Sequence, residues 1–129
     1  MKSLFVKDDD AVIVKIFLAK DKSGDFLASN NKEALLIQAV PETLEEHQVS
    51  FKKPSYGDDV SVYSSAVKIE NNNIKVDPVL FRFNKFVSLA RSWTFKDEGG
   101  IIPVNMDNIR KLDPGLANLI LDEFEKIVG

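Results

Sequence analysis

The chain contains no cysteine, which excludes a disulfide framework, thiolate nucleophiles and every Cys-based zinc site. Histidine is nearly absent too: His47 stands alone, in a polar stretch beside Glu45 and Glu46, and the expectation there is a solvated surface residue. A transition-metal site would need further nitrogen or sulfur donors, and the run Asp8, Asp9, Asp10 lacks the spaced ligands and glycine of a calcium loop. Gly99-Gly100 is framed by neither GxxxxGK[ST] nor GxGxxG, so no phosphate cradle is present. Ser55, Ser61, Ser64 and Ser65 have no histidine in a pattern that would activate them. The paired acids Asp58-Asp59 and Asp97-Glu98 are adjacent residues in turn-like segments and do not form an acid–base pair. The expectation is a protein that is not an enzyme, with no catalytic residue, no cofactor and no metal.

Long apolar runs are missing as well. The longest block, "AVIVKIFLA", is about nine residues and is interrupted by Lys15, well short of the roughly 20 needed to cross a bilayer as a helix. "MKSLFVKDDD" has no apolar stretch of signal-peptide length. No membrane association is expected, and a cytoplasmic location is. Net charge is −3 with cations and acids interleaved; no basic stripe offers counterion release on a nucleic acid, so nucleic acid is not the expected partner.

What the chain does have is a readable succession of elements. Its 129 residues fit one domain, with strands mainly in 1–53 and helices mainly in 54–129. "AVIVKIFLA", Ala11 to Ala19, is rich in β-branched side chains and predicts a central strand with both faces largely covered. "KDKSGD" follows with turn chemistry. Leu35 to Val40 predicts a second strand, although Ala34, Leu35 and Leu36 also suit a helix, and Pro41 ends either element or starts one helical turn. Val49 and Phe51 alternate with polar residues as in a half-buried strand.

Four helices are predicted next. Ser55 with Asp58 forms a variant capping box before a helix at about 56 to 66, whose stripe is Tyr56, Val60, Tyr63 and Val67. "VKIENNNIKV" predicts a short hairpin at 67 to 76. Asp77-Pro78 opens a helix to Trp93, with Val79, Leu80, Phe83, Phe86, Val87, Leu89, Ala90 and Trp93 on one broad face. "KDEGG" reverses the chain, Ile101 and Ile102 return to the core, Asn105 caps a helix to 112, and Asp113-Pro114 opens the last, 114 to 128. The fold class is therefore α+β: a small antiparallel sheet from the N-terminal half packed against about four helices in the C-terminal half.

Phe81 is the exception on the long helix, because it falls in the middle of the polar arc. It is the one candidate for contact with a protein partner, against the alternative that it packs under a strand or loop. Nine phenylalanines also suit self-association into a homo-oligomer.

The order of pieces carries a resemblance. "VSFKKPSYGD", a helix ending in "ARSWTF", then "KDEGGIIPVNMDNIRKLDPGLANLILDEFEKI" resembles the small tail-assembly chaperones of tailed bacteriophages, through Pro54, Ser55, Trp93, Gly99, Pro103, Val104, Leu112 and Pro114. The resemblance implies a protein made in an infected bacterium that holds the tape-measure protein, or another tail protein, soluble during assembly. It implies a mostly helical fold, from which the three strands predicted ahead of Pro54 depart. Its positions are turn and core residues, so it assigns no functional residue. The alternatives are a small structural protein of the virion, such as a baseplate or head–tail connector component, and a host-directed regulator that binds one bacterial protein.

Overall fold

In the computed structural model, which describes residues 3–129, burial alternates along the first strand, β1 (Ala11–Lys20): Val12, Val14 and Ile16 are buried while Ala11, Ile13 and Lys15 are exposed. The strand is central, as its composition predicts, but one face of it is open. A buried strand in a parallel sheet needs both faces apolar; here antiparallel partners leave one face to water, and Lys15 is the residue that betrays it. Beyond Ile16 a short helix packs against β1 where the sequence pattern predicts a strand.

That helix is α1 (Lys32–Leu36), capped by the Asn31 side chain, which accepts the Ala34 N–H at 3.0 Å. Leu35 is its buried residue, while Ile37 is 84% exposed. The expected strand at Leu35 to Val40 is thus corrected: an Asn cap followed by good helix formers wins locally, and only one side chain needs burial. A short 3₁₀ turn, Pro41–Thr43, follows at the predicted position.

The strand after the first turn went unread. β2 (Phe26–Ser29) pairs antiparallel with β1 through Phe17↔Ser29 and Lys20↔Phe26. The turn between them is built by Asp21, whose carboxylate accepts from Ser23 and Asp25, and by Gly24 at φ +86. A positive φ at that place favours glycine.

β3 (Glu45–Lys52) runs along the other edge of β1 with Val12↔Phe51, Val14↔Val49 and Ile16↔His47 in register. Val49 and Phe51 are both fully buried on the core face. The sheet is completed by β6 (Ala90–Trp93), giving the order β2-β1-β3-β6, all antiparallel. This corrects two expectations: the sheet is not confined to the N-terminal half, and the long helix does not reach Trp93. Ala90 and Trp93 are three residues apart, which fits one face of a helix. The same spacing fits a strand with an extra residue, and the β3–β6 register shifts between Ser50 and Phe51, so that both Ala90 and Trp93 point to the core.

The remaining elements start where their caps predict. α2 (Tyr56–Ser65) has the full Ser55–Asp58 capping box; α3 (Pro78–Leu89) begins under Asp77; α4 (Met106–Arg110) under Asn105; α5 (Pro114–Val128) under Asp113. Between α2 and α3 lies the hairpin of β4 (Val67–Glu70) and β5 (Asn73–Val76), turned through Asn71 and Asn72, both at positive φ. "KDEGG" makes a smaller hairpin, β7 (Lys96–Asp97) and β8 (Gly100–Ile101). Ile102 returns to the core, and Ile101 stays exposed.

Helices α3 and α5 cover the core face of the sheet. Phe51 is the junction: its ring lies 5.4 Å edge-on from Phe86 of α3 and 4.5 Å from Phe124 of α5, all three buried. Burying each such side chain contributes about 1.5–3 kcal/mol. Arg82 of α3 binds Asp122 at 3.0 Å and Glu125 at 3.3 Å, which fixes α3 against α5. With α5 over the sheet and α3 beside it, α2 and its hairpin are left on the outer side of α3.

Candidate protein-contact face

The α2 helix is where pattern and packing part. Of the predicted stripe, Tyr56, Val60 and Tyr63 are exposed, Tyr63 at 53%, and only Val67, beyond the helix end, is half-buried. The residues that bury are Val62 and Ala66, which sit on a different face and pack toward the body of the protein. The larger stripe points outward, because a helix with two apolar edges can bury only one against a single neighbouring layer.

The following hairpin has the same property. Cross-strand pairs Val67↔Val76 and Ile69↔Ile74 share one face, and Lys68↔Lys75 and Glu70↔Asn73 share the other. Such alternation is the signature of a ribbon with one face covered. Here only the base pair is half-buried; Ile69 is 77% exposed and Ile74 is 74% exposed. The base is firmly tied. Asp77 donates its N–H to the Ala66 carbonyl at 3.0 Å, and its carboxylate meets Lys68 at 3.0 Å. The Asp77 carboxyl is held below the usual carboxylate range first by the Leu80 N–H and then by Lys68, whose own ammonium is raised by the same contact.

Phe81 connects the two elements. It is half-buried, and its ring meets Tyr63 of α2 edge to face at 6.4 Å, with Lys85 Nζ 5.7 Å above it. Its place on the polar arc of α3 is explained by α2, which lies across that arc and is held there by the Asn84 amide donating to Ser65 Oγ at 2.9 Å. Tyr63 and Phe81 together separate two shallow depressions, of about 440 Å³ toward Val60 and Lys85 and about 390 Å³ toward Val76 and Arg82. Val76, which lines the second depression, belongs to the apolar face of the hairpin and so links the Tyr63–Phe81 pair to the side that carries Ile74 and Ile69. Exposed apolar surface of this kind marks interaction sites.

No family model matches this chain, nor does any curated protein or solved structure.

Other arrangements are less apt for function. His47 is corrected from surface to core: it is 6% exposed, on the same strand face as Val49 and Phe51. Its Nδ1 lies 2.9 Å from Thr94 Oγ1 and its Nε2 lies 2.8 Å from Glu45 Oε2, with the Phe95 ring 5.2 Å away. The tautomer with its proton on Nε2 donates to Glu45 and accepts from the Thr94 hydroxyl, satisfying both nitrogens. Hydroxyl, imidazole and carboxylate in a row resemble a nucleophile, its base and an orienting acid. The hydroxyl, however, already accepts the Gln48 N–H at 3.0 Å within the β3–β6 ladder, which makes it a strand connector. No cluster of three or more His, Asp or Glu suited to a metal occurs among the described residues, and no helix there is long and apolar enough to cross a membrane.

Proposed function

We propose that this chain is a non-catalytic, protein-binding assembly factor that holds an apolar segment of a partner against the strip from Val60 to Ile74. The single observation that supports this is the β4–β5 hairpin, whose Ile69 and Ile74 face water on the side that alternation reserves for burial. An isolated hairpin is marginal in water, yet this one leaves Ile69 and Ile74 of its apolar side exposed among the described residues. The resemblance to phage tail-assembly chaperones makes the tape-measure protein the partner and the cytoplasm of the infected bacterium the place of action.

Co-expression with a phage tape-measure protein tests the reading. The wild-type chain should keep the long protein soluble and co-purify with it, and the double change Ile69→Asp, Ile74→Asp should abolish both effects while leaving the fold intact. Recovery of this chain from purified virions in fixed copy number would replace the reading with a structural role, and exclusive recovery of one host protein would replace it with a host-directed one.

A further inference from the structure

Next to the two depressions at Tyr63 and Phe81, a third concavity has a different character. It is an open cleft of about 470 Å³ between α3, α4 and α5, with the buried Phe86, Ile109 and Leu121 beneath it. That volume falls in the range of about 300–1,000 Å³ typical of small-molecule sites, which are apolar inside with a few placed polar groups. No buried side-chain nitrogen or oxygen lacks a partner among the described residues, so the floor presents no polar hook. The polar groups are at the rim.

Two guanidinium groups stand there, and they differ. Arg82 is already charge-paired: it donates to Asp122 and Glu125, and also to the Asn118 carbonyl. Arg110 is exposed and has no carboxylate partner among the described residues. Its guanidinium carbon sits 5.6 Å over the Phe83 ring. The ring covers one face of the guanidinium by a cation–π contact and leaves the N–H edges free to receive a planar anion.

We infer that this cleft binds an amphipathic monocarboxylate, with its tail against the half-buried Phe83, Leu112 and Ala117 and its carboxylate on Arg110. Charge complementarity selects the head group, since one uncompensated cation faces the mouth of a cavity that is otherwise apolar. The cleft shares Pro78 and Arg82 with the depression beside Val76, but Arg110 and the α4 wall lie outside the Val60–Ile74 strip.

An NMR titration of the full chain with decanoate, decanol and acetate, each below its aggregation threshold, is the test. Decanoate should shift the amides of Phe83, Ile109 and Leu121 saturably, and acetate should not. Arg110→Gln should weaken decanoate about tenfold, the loss of one charge-assisted contact, and leave decanol unchanged. Ala117→Phe, which fills the cleft from α5, should remove binding of both in a protein that keeps a dispersed spectrum. Absence of saturable shifts, or equal loss of decanoate and decanol in Arg110→Gln, would overturn the inference.

Discussion

Tyr63 and Phe81 stand edge to face across the α2–α3 seam, ring centroids 6.4 Å apart, with depressions on either side. The pair is both a joint and an exposed ridge, and the two roles can be separated. Phe81→Asp places a carboxylate under Lys85, which already lies 5.7 Å over that ring, so the fold should survive at a cost of about 1–2 kcal/mol. Partner binding should be lost. If urea unfolding shows the native fold while oligomeric state and partner binding are both unchanged, Phe81 is no contact.

His47 should behave as a core residue. His47→Ala removes two hydrogen bonds and the ring packed on Phe95, and should lower stability by about 2–3 kcal/mol. A loss below about 0.5 kcal/mol in denaturant unfolding would return it to the surface.

Acid sensitivity should trace in part to Asp58. Its carboxyl is held below the usual range first by the Lys52 ammonium and then by the Ser55 N–H. A carboxyl depressed in the folded state contributes stability that is complete above the unfolded carboxylate range, about pH 4, and is lost as pH falls through the folded value. Asp58→Asn should therefore lower stability at pH 7 by about 0.5–1 kcal/mol, a figure reduced by solvent screening, and flatten the acid limb below about pH 4. An acid limb as steep as wild type would refute the assignment.

Trp93 should anchor the return from the small hairpin. Its indole N–H donates to the Ile102 carbonyl, so Trp93→Phe keeps an aromatic ring in the core and loses the tie, at about 1 kcal/mol. Amide exchange should accelerate at Lys96 and Ile102 and not at Val14.

Much of this architecture is legible in the chain, and for a local reason. Ser55, Asp77, Asn105 and Asp113 each accept a backbone N–H within the next three residues, so cap chemistry places four helix starts without reference to the rest of the fold. What escapes is decided by tertiary partners. Ala90 and Trp93 read as helix because a bulge against β3 imitates helical spacing. Tyr56, Val60 and Tyr63 read as core because the pattern counts apolar residues and does not say which edge meets a neighbour. His47 was hidden by its acidic neighbours, yet its parity with Val49 and Phe51 was a usable signal. Of the candidate face, Phe81 was visible as an anomaly on the polar arc; its link through Val76 to Ile69 and Ile74 depends on where the hairpin sits.

The most direct measurement is site-specific photo-crosslinking in the infected cell, from position 74 on the hairpin and from position 15 on the open face of the sheet. The account expects an adduct with the tape-measure protein from position 74 and none from position 15. An adduct with that protein from position 15 alone, or none from either while the chain is folded, would contradict it.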